Sequence, residues 1–242
     1  MYRTILTIIC ALLIGTTQVN AQGFGKFLKK VEETVKGDGA SDLTEGEVVS
    51  GLKEALMIGV EKGVDQLSQP DGYFKNLEIK IPLPPEAQVV EDKLRKIGLD
   101  KQVDDAIESL NRAAEDAVVG AKDIFINAIK QMTVTDAMSI LRGDQDAATK
   151  FLERTTRPAL VEKFQPTVKV SLDKVGATKY WNTVFTTYNK VPFVEDVNPD
   201  LEVYATNKAI DGLFHQIAKQ EAEIRKNPGA RVTDLLKKVF GS

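Results

Sequence analysis

Apolar residues recur at alternating intervals of four and three along most of this chain, the spacing that lines one face of an α-helix. The longest stripe runs from Gln102 to Met132, where Val103, Ile107, Leu110, Ala114, Ala117, Ala121, Ile124 and Ala128 keep register. Gly120 is the one helix breaker in it, and Ala113, Ala114, Ala117, Gly120 and Ala121 are small enough for a neighbouring backbone to come close. This predicts a central helix over about residues 102–132 that other helices wrap. A second long helix is expected over about residues 200–226, carrying Tyr204, Ile210, Leu213, Phe214, Ile217, Ala218 and Ile224, with Asn198 and Pro199 as cap and first-position proline. The fold expected is all-α, a multi-helix domain of orthogonal or bundle-like packing.

Shorter elements fill the rest. Thr44 followed three residues later by Glu47 is a capping box, and Val48, Leu52, Ala55, Leu56, Gly59, Val60, Val64 and Leu67 continue it as a helix ending near Gln69-Pro70-Asp71-Gly72. Residues 77–85 alternate apolar and polar positions and then fill with proline, so they should form an extended strap across the helices. Glu86 to Ile97 reads as a short helix stopped by Gly98, and Asp100 as the cap of the central helix. Thr133 or Thr135 should cap Asp136 to Arg142, with Asp144 starting the next element. From Ala147 to Lys190 the pattern stays helical but interrupted, at Pro158, Pro166 and Gly176. Trp181, Phe185 and Tyr188 form an aromatic face at core spacing, and Arg231 to Phe240 is a last amphipathic piece. Residues 42–242 are expected to be a single helical domain.

The first 41 residues have another character. Arg3, the apolar run Ile5 to Ile14 and the small residues at Val19-Asn20-Ala21 make a signal peptide with cleavage near Ala21, so the mature chain should begin at Gln22. Cys10, the one cysteine, lies inside the apolar run and not at its end, which argues against lipidation. The mature protein would then contain no thiol, and disulfides, thiolate catalysis and Cys-ligated metals are excluded. In residues 22–41, Phe24, Phe27, Leu28, Val31 and Val35 share one helical face ahead of a Gly-rich linker, with lysines opposite. Such a segment after a signal peptide more often docks on its own domain or is loosely tethered, and the alternative is contact with a membrane surface.

Composition removes several function classes. There are 32 Lys and Arg against 35 Asp and Glu, and the basic residues are scattered among acidic ones, so no nucleic-acid footprint exists. His215 is the single histidine and has no partner nearby in sequence, which speaks against nucleophilic catalysis and against a metal site. No phosphate loop, dinucleotide fingerprint or nucleophile elbow is present, so no cofactor is expected. Asp144 and Asp146 lack the glycine and distal glutamate of a calcium loop and read as helix capping.

Five polar residues sit on or beside the two longest apolar stripes: Asn111, Arg112, Glu115, Glu221 and Arg225. Burying those flanks forces the groups to find partners inside the protein. The expectation is that the two long helices pack together and that an arginine–carboxylate contact joins residues 111–116 to residues 221–225. It forms either a register-fixing ion network or, less simply, a ligand site. Replacing Arg112 by Ala would then cost about 3 kcal/mol.

Several segments together resemble the bacterial family called domain of unknown function 4197: Gly51-Leu52-Lys53-Glu54-Ala55-Leu56, Ile79-Lys80-Ile81-Pro82-Leu83-Pro84, Leu110 to Glu115, Asp211-Gly212-Leu213-Phe214, and Ile224 to Pro228 with Phe240-Gly241. The resemblance covers about Leu43 to the C-terminus. It implies an exported, mostly helical protein, and no catalytic residues. The expected role is an exported, non-enzymatic helical domain of the cell envelope that binds a protein partner or a small ligand. The alternatives are an envelope hydrolase using carboxylates and arginine, and a membrane-surface protein held by residues 24–35.

Overall fold

Local chemistry sets the first helix of the computed structural model, which describes residues 44–188 and 200–226. The Thr44 hydroxyl accepts from the Glu47 amide while the Glu47 carboxylate accepts from the Thr44 amide, and helix α1 (Glu45–Leu67) follows. The same reciprocal cap, Thr133 with Asp136, starts α5 (Val134–Arg142). Between them lie a 3₁₀ turn (Pro85–Ala87), α2 (Gln88–Lys96), α3 (Asp100–Val118) and α4 (Ala121–Gln131). After α5 come α6 (Ala147–Lys174), α7 (Ala177–Tyr188) and α8 (Leu201–Lys226). The fold is all-α, with no strand among the described residues. The expectations for residues 1–41, Asn198–Pro199 and Arg231–Phe240 lie outside the described residues, as do those for the side chains of Phe185 and Tyr188.

The centre lies elsewhere than the apolar stripes suggested. The expected helix 102–132 is two helices, because the chain turns at Val119–Gly120, where Lys163 Cγ would sit 2.9 Å from any Cβ added to Gly120. Instead α6 packs against α8, α3 and α4, and α8 also against α1 and α3. Leu110, Ala113, Ala114, Ala117 and Val118 of α3 are buried against these neighbours. Phe125 of α4 meets Phe214 of α8 edge to face, with ring centres 5.8 Å apart.

Helix α6 runs unbroken through Pro158 and Pro166, where the sequence suggested interruptions. Of its buried positions, Ala148, Leu152, Thr156, Leu160, Phe164, Val168 and Leu172 follow a repeat of four, and Thr149 and Phe151 widen the stripe at its start. Each step of four over-rotates an α-helix by about 40°, so the stripe winds roughly 240° around the axis and meets different neighbours along its length. Pro158 and Pro166 are themselves exposed, and burial of this stripe offsets the interior prolines, each of which costs about 3 kcal/mol in a helix interior. The helix stops at Gly176, whose φ of +69° is the left-handed terminator that glycine accepts without strain. Gly98 ends α2 in the same way, at φ +83°.

Two capping expectations are corrected. Asp100 lies inside the first turn of α3, and Asp146 precedes α6 without capping it, its carboxylate held by Lys150 at 2.9 Å. Residues 77–85 are extended only from Lys80 onward. Before that the Asn76 carbonyl accepts from the Ile79 and Lys80 amides and folds 77–79 into a turn. Ile79 and Ile81 point inward and Glu78, Lys80 and Pro82 outward, the alternation expected.

Close approach decides how this strap meets α8. The Tyr73 ring lies on Gly212, where an added Cβ would stand 2.7 Å from Cε1, and its hydroxyl donates to the Ala209 carbonyl at 2.7 Å. Gly212→Ala should therefore lower the urea midpoint by the equivalent of about 1–3 kcal/mol, the cost of overpacking a filled site. An unchanged midpoint would show that Tyr73 is free to move.

Candidate functional site

Asn111 and Glu115 are four residues apart on α3 and so share one face. Both are buried, at 0% and 5% exposure, and both face backbone that has no helix of its own. Asn111 Oδ1 accepts from the Ile81 amide at 2.8 Å, and Nδ2 donates to the Ile81 carbonyl at 2.8 Å. The side-chain amide thus takes the place of a neighbouring strand. Its second Nδ2 hydrogen goes to the Ile107 carbonyl. One turn on, Glu115 Oε1 accepts from the Tyr73 and Phe74 amides at 3.0 and 3.1 Å.

Arg112 completes this cluster from the solvent side. Nη1 donates to Glu115 Oε2 at 2.7 Å, Nη2 donates to Asp71 at 2.7 Å and to Glu108 at 3.0 Å, and the guanidinium lies over the Phe74 ring. Glu115 first and Asp71 second push the guanidinium well above its ordinary range. Asp71 sits at φ +70°, a conformation that aspartate tolerates better than most residues. Lys75, then Arg112, hold its carboxyl below the ordinary 3.8.

The second cluster holds a helix end. The first turn of α6 has no acidic residue and no side-chain cap, and its Ala148 and Thr149 amides donate instead to the two oxygens of Glu221 at 3.0 and 2.9 Å. The Thr149 hydroxyl donates to the same carboxylate at 2.8 Å. A carboxylate from α8 therefore acts as the N-cap of α6, placed on the positive end of its dipole. Arg225, one turn on, donates to Glu221 at 2.9 Å and to the Ile140 carbonyl in the last turn of α5.

The five residues thus form two clusters, and the arginine–carboxylate contact expected between residues 111–116 and 221–225 is not made. Arg112 pairs with Glu108 and Glu115 on its own helix and with Asp71 in the turn after α1, and Arg225 pairs with Glu221. The helices do pack together, as expected. They meet at another height. Tyr73, whose amide Glu115 holds, docks at Gly212, nine residues and about 13 Å of helical rise from Glu221. Periodicity shows that a polar group is buried but not which backbone will come to it. The hydrolase reading needed Glu115 and Glu221 to converge in an open cleft, and their oxygens are instead occupied by backbone amides and arginine.

An apolar cavity of ≈ 720 Å³, which sequence reasoning missed, lies on the far side of α3. Its walls are Leu83 of the strap, Ala87 of the 3₁₀ turn, Val90 and Leu94 of α2, Val103, Ala106 and Leu110 of α3, and Val175, Ala177, Trp181 and Leu201 around the ends of α6, α7 and α8. The polar groups among its lining are Glu91, Gln102, Asp105 and Ser109. The signal available in sequence was α2, which is short, bracketed by Pro84-Pro85 and Gly98, and apolar at Val89, Val90, Leu94 and Ile97. None of its residues is buried, so it forms a wall and not part of the core. Arg95 ties it down by donating to Glu91 and to Asp104 of α3 at 3.0 and 2.8 Å.

Among the described residues no group of three or more His, Asp or Glu is arranged to hold a metal ion. No described helix is long and apolar enough to cross a membrane. His215 Nε2 lies 3.2 Å from Glu78 of the strap, a partner distant in sequence.

The two clusters differ in exposure, and so should their variants. Glu221→Ala would leave two amides and a hydroxyl without their acceptor and the mostly buried Arg225 without its carboxylate, and should cost about 2–4 kcal/mol in chemical denaturation. Arg112→Ala should cost less, about 1–2 kcal/mol, because its side chain is 36% exposed and Glu115 keeps both amide donors. Equal losses would contradict this assignment.

Asp71 supplies a pH dependence. Its carboxyl binds a proton less readily folded than unfolded, so its contribution is whole above the unfolded value of 3.8 and is lost as pH falls through the lower folded value. Asp71→Asn keeps a residue that accepts positive φ and should lower the unfolding midpoint at pH 7. The gap to the parent should close as the pH falls from 3.8 through the lower folded value. A gap independent of pH would exclude the ion pairs as its origin.

Comparison with known proteins adds a family and nothing more specific. No curated protein and no solved structure matches the chain. A family model described as Protein of unknown function (DUF4197) matches residues 42–241. That span takes in α1 with its capping box, the strap, the Asn111–Glu115 rail and the Glu221 cap, and the chain belongs to the DUF4197 family.

Proposed function

We propose that this chain is an exported helical protein of the bacterial envelope that binds a small apolar ligand in the cavity between α2, α3 and α7, without chemical turnover. The observation that carries this reading is the cavity itself. Its ≈ 720 Å³ falls within the range of small-molecule sites, and its walls are mostly apolar with a few polar groups, the usual make-up of such sites. The conspicuous buried polar groups offer no competing site, since Asn111, Glu115 and Glu221 spend their hydrogen bonds on backbone. Helix α2 supports the reading too, because a wall without buried residues opens at lower cost than a core helix. Export rests on Arg3, the Ile5–Ile14 run and the small residues before Gln22.

Trp181, the protein's single tryptophan, lines the cavity and reports its occupancy. Titration with 1-dodecanol below its solubility limit should shift Trp181 emission saturably. Ala106→Phe, which fills the cavity from α3, should abolish the response while leaving the helical circular dichroism intact. A response that is absent, non-saturable or unaffected by Ala106→Phe would refute the cavity as a binding site.

A further inference from the structure

The apolar cavity has a polar neighbour. A second cleft, of ≈ 340 Å³, lies between α3 and the C-terminal part of α6 and shares Asp105, Ser109 and Val175 with it. The two compartments differ in chemistry. The cavity is walled mainly by apolar side chains, while the cleft adds Glu108, Arg112, Asp116, Ser171 and Lys174. An apolar chamber beside a polar one, with three lining residues in common, suits an amphiphile whose chain lies in the first and whose head lies in the second.

Charge distinguishes the heads. Together the two compartments present four carboxylates, Glu91, Asp105, Glu108 and Asp116, against two cations, Arg112 and Lys174. Arg112 gives its Nε, Nη1 and Nη2 donors to Glu108, Glu115 and Asp71 and has little left for a ligand. The Arg95 guanidinium fixes Glu91 at 3.0 Å, whereas among the described residues Asp105 pairs with Lys101, whose side chain is 82% exposed. Such an exposed pair is weak, so the Asp105 carboxylate on the shared wall can turn to a cation in the site. Asp116, in the cleft, accepts from the Ser171 hydroxyl, a neutral donor, at 2.7 Å. An anionic head would enter against this field, and an ammonium head would enter with it.

We infer that the ligand class is a single-chain amphiphile with an ammonium head, its alkyl chain in the Trp181 cavity and its head in the cleft at Asp105 and Asp116. This rests on the cavity reading above. It also makes Asp105 the residue that selects the head, a role distinct from holding the chain.

Three probes with one chain and different heads separate the two claims: dodecyltrimethylammonium, 1-dodecanol and dodecanoate. Each is titrated below its aggregation limit at fixed ionic strength, with Trp181 emission as the readout and circular dichroism confirming the fold. Dodecyltrimethylammonium should bind about ten times more tightly than dodecanoate, a ratio that shrinks as salt is added. Asp105→Asn should bring that ratio to within about twofold while leaving dodecanol affinity unchanged, as loss of one site charge requires. Binding of dodecanoate as tight as or tighter than dodecyltrimethylammonium would overturn the ligand class and leave the cavity reading standing. Failure of all three probes to bind would overturn the cavity reading itself. A ratio unaffected by Asp105→Asn would remove Asp105 as the selecting residue.

Discussion

A stretch of chain without helical hydrogen bonds has to cross the face of a helical core between α1 and α2, and its buried amides must be satisfied there. Asn111 and Glu115 meet that constraint. One turn apart on α3, they take the amides of Ile81, Tyr73 and Phe74, and Asn111 returns a hydrogen bond to the Ile81 carbonyl. Tyr73 fixes the same segment to α8 through the Ala209 carbonyl and the bare surface of Gly212. Once 72–81 is held, Leu83, the 3₁₀ turn and α2 have only one way to continue, over the side of α3 that carries Val103 and Ala106. The cavity is the space they roof.

The same device recurs at α6, where a carboxylate from a distant helix again serves backbone amides. Glu221 caps α6 and Arg225 reaches the last turn of α5, so one turn of α8 joins two helix ends that local sequence leaves uncapped or incompletely capped. In both clusters the buried charge is hydrogen-bonded on each oxygen, which is the condition under which a buried carboxylate is tolerated. The clusters are thereby closed to a ligand. Reactivity and recognition have to be sought where side chains still have hydrogen-bonding capacity, around the cavity and the cleft beside it.

What the sequence made legible depended on whether a feature was local. The capping box at Thr44, the glycine terminators at 98 and 176 and the turn after Leu67 are written in a few adjacent residues, and each appears where the residues place it. Asn111, Glu115 and Glu221 stood out as polar groups on buried stripes and are buried. Their partners were unreadable because backbone amides of a strap and of a helix start carry no side-chain signature. Pro158 and Pro166 misled for a different reason: a four-residue repeat that winds around α6 leaves no straight apolar stripe, so a continuous helix looked interrupted. The cavity escaped notice because parts of seven elements bound it, none of which is unusual alone.

The central claim is that the rail on α3 holds the strap as part of the core, and amide hydrogen exchange of the native protein tests it most directly. If the account is right, the Ile81, Tyr73 and Phe74 amides exchange in the slow class with the interior of α6, although they lie outside any helix. Exchange of these three amides at the rate of solvent-exposed loop positions, with α6 still protected, would contradict it.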